Sequence, residues 1–434
     1  MKFIVNNGGK LSGDIRVPGD KSISHRSIMF GSIAVGTSHI SGFLQGEDSM
    51  NTLRAFKAMG VHIEGPDSEG RVVIHGVGMR GLKKPQAALD LGNSGTSMRL
   101  LAGLLAGQAF DVELSGDASL SKRPMERVTR PLASMGARVS TAEGGRPPLK
   151  IAGGSDLQGI DYALPMASAQ VKSCVLLAGL YANGMTCVTE PASTRDHTER
   201  MLNAFGCKVE RKGAQACLQG PATLRACDID VPADISSAAF FMVGASIAEG
   251  SDITLQHVGI NPTRTGVIDI LRLMGADIEL LNETMVGGEP VADIRVRSAA
   301  LKGIHVPEEL VPLAIDEFPV VFVAAACADG QTTVTGAEEL RVKESDRIQV
   351  MADGLQVLGV DARATPDGMI ISGGPIAGGA VHSRDDHRIA MAFSMAALRA
   401  SGPISIDDTE NVNTSFPAFV DLASTSGLSI RADG

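Results

Sequence analysis

Two short stretches carry carboxylates at helix starts, and one of them sets its acid between fixed positive charges, the arrangement that proton transfer beside an anion requires. They are Ala314-Ile315-Asp316-Glu317-Phe318-Pro319 and Arg341-Val342-Lys343-Glu344-Ser345-Asp346-Arg347, and each opens a helical pattern. An acid flanked by Lys343 and Arg347 sits in a field that tunes proton transfer, and catalytic acids occur in such settings. Acids at helix starts also serve as plain partners of the helix dipole. A third stretch, Pro18-Gly19-Asp20-Lys21-Ser22-Ile23-Ser24-His25-Arg26, reads as an anion site. Pro18-Gly19 ends the strand Ile15 to Val17, Asp20 or Ser22 caps the helix, and free N–H groups beside Lys21 and Arg26 favour phosphate or carboxylate.

Other helix starts carry the same polarity. Leu91 to Arg99 is a glycine-rich strand-to-helix turn around Asn93, Gly95 and Thr96, where absent side chains let an anion approach the backbone. It lacks the spacing of a nucleotide P-loop or a dinucleotide fingerprint. Gly116 to Met125 places Lys122 and Arg123 just before a proline at a helix start, where Arg123 can clamp a carboxylate or phosphate with two parallel hydrogen bonds. Pro165 to Ser173 puts Ser168, Ala169, Gln170 and Lys172 at the head of an apolar helix, Ser168 serving equally well as a cap. Asp385-Asp386-His387-Arg388 is a further dense polar start, with His387 read as structural before catalytic. The basic set comprises Lys21, Arg26, Arg99, Arg123, Arg127, Lys172, Arg195, Lys343, Arg347 and Arg388. The acids are Asp316, Glu317, Glu344 and Asp385.

What must position these residues is a repeat. Six segments end in an apolar or small residue, a glycine and an alternating strand, at Gly60, Gly136, Gly206, Gly275, Gly359 and Gly427. Intervals of 76, 70, 69, 84 and 68 residues are too long for a solenoid, so each unit is a small subdomain. An amphipathic helix precedes each glycine (49–59, 125–135, 196–205, 263–274, 345–358, 418–425). A more apolar helix lies further upstream (22–34, 94–105, 167–180, 235–248, 317–328, 387–399) and feeds a β-branched strand. The apolar helices are rich in Ala and Gly and must be buried nearly all round, three to each half, with sheets outside. The fold class is therefore α/β, with six units in two triplets. The first three-unit domain is expected over 21–232 and the second over 1–20 plus 233–434, with a two-strand hinge near 18–21 and 232–234. Lys2 to Val17 is read as one strand that completes the last unit.

Composition narrows the function classes. At 434 residues more than one domain is the expectation, and 44% hydrophobic residues suffice for the cores. Net charge of −10, no Trp and only two Tyr argue against a nucleic-acid partner. The first residues lack an apolar leader, and the longest apolar run, Phe318 to Ala328, is too short to span a bilayer, so a soluble cytoplasmic protein is expected. Six cysteines show neither C-x-x-C spacing nor a nearby histidine, so neither a disulfide framework nor a zinc site is expected. Cys174 and Cys327 read as small buried hydrophobes.

Seven motifs in chain order resemble the 5-enolpyruvylshikimate-3-phosphate synthase family: Pro-Gly-Asp-Lys-Ser-Ile-Ser-His-Arg, Gly-Asn-Ser-Gly-Thr, Ser-Lys-Arg-Pro-Met, Ser-Ala-Gln-Val-Lys-Ser, Asp-Glu-Phe-Pro, Lys-Glu-Ser-Asp-Arg and Asp-His-Arg-Ile-Ala-Met. They span nearly the whole chain. The resemblance implies two inside-out α/β barrel domains, each of three βαβαββ-type units. It implies transfer of the enolpyruvyl group of phosphoenolpyruvate to shikimate 3-phosphate, without metal or other cofactor, by a monomer. By resemblance, Lys21, Ser22, Arg26, Ser168, Ala169, Gln170, Arg195, Asp316 and Lys343 hold shikimate 3-phosphate. Phosphoenolpyruvate meets Lys21, Asn93, Gly95, Arg123, Gln170, Arg347 and Arg388. Asp316, with Lys21 near it, takes the hydroxyl proton, and Glu344 exchanges a proton with C3. Where many members of the family carry Lys, this chain has Thr414, as in a branch that lacks that cation. The alternatives are a transferase acting on UDP-N-acetylglucosamine, which usually has a loop cysteine that is missing from residues 1–173, and a non-catalytic anion-binding scaffold.

Overall fold

The computed structural model describes all 434 residues. Twelve α-helices alternate in type along the chain: α1 (Lys21–Ile33), α2 (Glu47–Ala58), α3 (Gly95–Ala106), α4 (Glu126–Ser134), α5 (Ala169–Gly179), α6 (His197–Ala204), α7 (Ile235–Ile247), α8 (Gly266–Leu273), α9 (Phe318–Cys327), α10 (Arg347–Val357), α11 (His387–Ala396) and α12 (Phe419–Ser426). The odd-numbered helices are the apolar ones and are buried on almost every residue, α7 on all of them. The even-numbered ones bury one face. Each of these ends at its repeat glycine, and all six glycines have left-handed φ between 83° and 118°. A Cβ in that conformation costs about 1–2 kcal/mol, which explains the residue type at the stop.

α8 starts three residues later than the sequence suggests, because the Asn261 side chain accepts from both the N–H and the hydroxyl of Thr263 and holds that residue in a turn. α10 begins after Asp346, whose carboxylate caps it at Gln349 N–H.

The chain divides into two compact units, residues 19–231 with 286–288, and residues 1–18 with 232–285 and 289–434. Within the first, α1, α3 and α5 are the inner helices and three sheets cover them. Gly103 lets α3 and α5 close together, since a Cβ there would stand 2.1 Å from the Cys174 carbonyl oxygen. The second unit repeats the plan with α7, α9 and α11. A typical sheet runs in the order Leu89–Asp90, Val112–Ser115, Arg146–Ile151, Val139–Ala142, the first pair parallel and the others antiparallel. This is the βαβαββ unit. The fifth copy keeps its first strand only as the isolated bridges Lys302 to Asp329 and His305 to Thr333.

Three expectations are corrected. The sheets stay separate and open, and none closes into a barrel. Lys2 to Val17 forms two strands rather than one, because Gly8 and Gly9 turn the chain at φ 78° and 106°. Lys2–Val5 completes the sixth unit between Ile404–Asp407 and Ile430–Asp433, whereas Ser12–Ile15 pairs parallel to Asp252–Gly259 in the fourth. Leu224–Arg225 and Ile229–Asp230 play the matching part for the first unit, alongside Ala34–Ser41. Finally, Cys187 and Cys217 face each other in register across two antiparallel strands and are joined as a disulfide. Sequence spacing could not show this, since thirty residues separate them and the pairing depends on strand register. Cys174 is fully buried as expected, and burial pushes its thiol up to about 12.

Candidate active site

In the second unit the helix starts meet around Arg347. This guanidinium is 1% exposed, yet its Nε donates to Asp386 at 2.8 Å, one Nη to Glu344 at 2.7 Å and the other to Asp316 at 3.3 Å. Burial works against its charge, and the opposing fields of Asp386, Glu344 and Asp316 more than offset that, holding Arg347 above its ordinary value. Lys343 stands 3.4 Å from the same Asp316 oxygen and 3.0 Å from Glu339. The carboxylate set between Lys343 and Arg347 is thus Asp316, although in sequence it is Glu344. Glu344 meets Arg347 and keeps a quarter of its side chain exposed, enough to reach a ligand.

The two neighbouring acids Asp316 and Glu317 part company. Glu317 is buried, accepts from the Ser236 hydroxyl and lies 3.7 Å from buried Arg264, which also donates to Ser236 at 2.6 Å. It joins the starts of α7 and α9. Asp386 caps α11, accepting from Arg388 N–H at 3.0 Å, and also accepts from the Ser345 hydroxyl. Arg388 reaches back to the Asp316 carbonyl oxygen at 3.1 Å. Asp385 is exposed with φ 58°, and its carbonyl accepts from Asn411. His387 is buried as the first residue of α11. Thr414 is 5% exposed and its hydroxyl donates to the Asn411 carbonyl at 2.6 Å.

In the first unit three caps are made as the residue types require: Asp20 accepts from Ile23 N–H, Ser94 from Ser97 N–H and Ser168 from Val171 N–H. The first turns of α1, α3 and α5 are tied together side by side. Gln170 donates to the Thr96 hydroxyl at 3.0 Å and accepts from Arg99. Arg26 donates to Thr198 at 2.7 Å, to Ser173 at 2.8 Å and to the Ser22 carbonyl at 3.0 Å, so its guanidinium braces α1 against α5 and α6. Lys21 is paired with Asp48 at 2.5 Å. Arg123 donates to the Asn93 amide oxygen at 2.6 Å, and the Asn93 amino group donates to Asp117 at 2.7 Å. Gly95 lies beneath Arg99 and Arg123, whose Nη1 atoms would stand 3.0 and 3.1 Å from a Cβ there. Ala169 opens α5, while Arg127 and Arg195 are half-buried on α4 and before α6.

Lys172 does not join the converging cations that its sequence position suggested. It is fully buried and pairs at 2.8 Å with both Glu190 and Glu199. A charge so placed needs such partners, since leaving it unpaired costs several kcal/mol. His25 is also fully buried, its Nδ1 2.8 Å from the Thr52 hydroxyl. Burial, with Lys21 and Arg26 nearby, pushes it well below its ordinary value, so it stays neutral and adds no charge.

Sequence reasoning missed Asp48, Glu190, Glu199 and Arg264, and named Asp386 only as part of a polar helix start, without its role. Asp386 had a signal, being the residue just before an apolar helical run, where Asp caps well. The others have ion-pair partners 18 to 53 residues away, as with Lys172 to Glu190 or Arg264 to Glu317, and such pairs leave no local pattern. No helix is long and apolar enough to cross a membrane.

The arrangement offers cation-lined helix starts for anions in each unit and, in the second, three carboxylates fixed on one guanidinium. Comparison with known proteins agrees with that chemistry. The model of the family described as EPSP synthase (3-phosphoshikimate 1-carboxyvinyltransferase) matches residues 5–422. A protein named 3-phosphoshikimate 1-carboxyvinyltransferase from Methylococcus capsulatus is 69% identical over 99% of this chain and 98% of its own. One of the same name from Alkalilimnicola ehrlichii is 67% identical over 99% and 96%. An EPSP synthase structure from Acinetobacter baumannii superposes with TM-score 0.90 at 61% identity, covering both chains fully. The enolpyruvyl transferase NikO from Streptomyces tendae, at 16% identity and TM-score 0.81 over 99% of this chain and 98% of its own, shares the fold. With nearly its whole length matched by the family model, this chain belongs to the EPSP synthase (3-phosphoshikimate 1-carboxyvinyltransferase) family.

Proposed function

We propose that the chain transfers the enolpyruvyl group of phosphoenolpyruvate to the 5-hydroxyl of shikimate 3-phosphate and releases phosphate. The observation that carries this reading is Asp316 held at 3.3–3.4 Å between Arg347 and Lys343 while Glu344 shares the same guanidinium. A carboxylate flanked by two cations remains ionised and can accept a hydroxyl proton, and a second one alongside can act on carbon.

In this reading Asp316 takes the proton as the sugar oxygen bonds to C2 of phosphoenolpyruvate, and Glu344 delivers a proton to C3. The adduct is a tetrahedral anion. Glu344, now a carboxylate, takes back a C3 proton as the C–O bond to phosphate breaks, which restores the double bond, and the proton held on Asp316 leaves with the phosphate, so the step balances. Arg347, Arg388 and Arg123 stabilise the developing charge, because cations already fixed by neighbours need no reorganisation as the charge forms. Lys21, Arg26, Ser168, Gln170, Arg195 and Lys343 hold the sugar phosphate, in keeping with their places at or beside helix starts. Asn93 and Gly95 shape the seat of phosphoenolpyruvate through Arg123. We also take residues 21–232 and 1–20 plus 233–434 as the two domains of the working enzyme.

The test is phosphate release from phosphoenolpyruvate with shikimate 3-phosphate as acceptor. Release with this acceptor and none with UDP-N-acetylglucosamine is expected. Release with the nucleotide sugar alone would replace the reading, and no release with either would leave an anion-binding protein.

A further inference from the structure

Away from these helix starts, the outer face of the first sheet gathers three side chains with metal-ligand atoms. His62 and His75 are directly opposite on the antiparallel strands His62–Glu64 and Val72–Val77, and Glu64, two residues along, projects from the same face as His62. Their inward neighbours Ile63, Val72 and Ile74 are buried in the core, with Ile74 against α1 at Gly31, so the other face is left to solvent. The two imidazole rings lie 4.9 Å apart and 26° from parallel. Both Nε2 atoms converge on one carboxylate oxygen, Glu64 Oε1, at 3.4 Å from His62 and 2.9 Å from His75. All three ligand atoms lie within 4.8 Å of one another.

We propose that His62, Glu64 and His75 form a binding site for a divalent first-row transition-metal ion of the Zn2+ type. Four ligands about 2.0–2.1 Å from such an ion are separated by roughly 3.3 Å, so the two nitrogen-to-oxygen separations already match the edges of its coordination shell. Two imidazoles and one carboxylate suit Zn2+, Ni2+ and Cu2+ better than Mg2+ or Ca2+, which take oxygen ligands. The fourth position is open to water. Behind His75, the Thr37 hydroxyl lies 3.2 Å from Nδ1. With a metal on Nε2 the proton resides on Nδ1 and is donated to Thr37, the outer hydrogen bond that ligating histidines generally make. Every ligand is exposed or half-buried on neighbouring strands, so an ion enters without unfolding and pins the edge strand to its neighbour. The pattern is invisible locally, since His75 follows His62 by thirteen residues and they meet only through register.

Chelator-treated protein titrated calorimetrically with ZnCl2 at pH 7.5 tests the site. One saturable equivalent is expected, weakened at least about tenfold by His62→Ala, His75→Ala or Glu64→Gln. Thr37→Val is expected to weaken it about tenfold or more, within the 10–100-fold range of such outer partners. Phosphate release in the His62→Ala/His75→Ala double variant should equal that of the parent, since none of these residues belongs to the proposed machinery. No saturable binding, or binding as tight in the double variant as in the parent, overturns the proposal.

Discussion

Arg347 Nε and Asp386 Oδ2, 2.8 Å apart and both essentially inaccessible to solvent, join the start of α10 to the start of α11. Asp386 caps its own helix and neutralises the neighbouring guanidinium with one carboxylate. Asp386→Ala should therefore destabilise the protein by about 3–5 kcal/mol, since it leaves a buried charge without its most deeply buried partner. Urea unfolding of the variant measures this, and a loss below about 1 kcal/mol would mean that Glu344 and Asp316 suffice for Arg347.

Glu344→Gln keeps the shape and most of the hydrogen bonding to Arg347 while removing the transferable proton. Turnover is expected to fall by about 10² to 10⁴, with binding of both substrates little changed. Steady-state kinetics with substrate titrations separate the two, and an unchanged kcat would take Glu344 out of the mechanism.

Gly95→Ala puts a methyl group 3.0–3.1 Å from the Nη1 atoms of Arg99 and Arg123. These are ends of flexible side chains, so the fold should survive while Arg123 shifts by a few tenths of an ångström. KM for phosphoenolpyruvate should rise, and glyphosate, which mimics it, should inhibit less. Equal inhibition of variant and parent would show that Gly95 does not line that site.

His25 gives a pH dependence of stability with a defined sign. Burial, Lys21 and Arg26 set its folded value below the unfolded one of about 6.5, so above that pH both states are neutral and the contribution is whole. Below it the unfolded chain gains a proton that the folded one refuses, and stability falls by up to about 1.4 kcal/mol per pH unit until the folded value is reached. Unfolding at pH 7.5 and 5.5 should show a smaller loss in His25→Gln than in the parent; identical losses would assign the effect elsewhere.

Thr414→Lys tests the missing cation. The hydroxyl it removes is bonded to the Asn411 carbonyl, so about 1 kcal/mol of stability should be lost with that bond, and more for a cation placed in a buried site until an anion pairs it. Activity should persist, and phosphoenolpyruvate should bind no more than about tenfold tighter, equivalent to 1.4 kcal/mol. Weaker binding, titrated with shikimate 3-phosphate present, would show that residue 414 points away from the ligand.

By itself the sequence determined the plan of the fold. Twelve helices of two kinds could be read from burial periodicity, and their stops from six glycines, because both depend on neighbours within one or two turns. The same local reading found Glu344 between two cations and Asp316 at the start of a helix. Only the tertiary structure decided which cation each acid meets. Asp316 reaches Lys343 and Arg347 from a helix start about thirty residues away, and Glu317 beside it turns instead to Ser236 and Arg264. It also drew Lys172 into a buried pair of glutamates, split the first seventeen residues between two sheets and brought Cys187 to Cys217 and His62 to His75. Each of these depends on strand register or helix packing between distant segments, and a charge, thiol or imidazole carries no mark in the sequence of the partner that packing will bring to it.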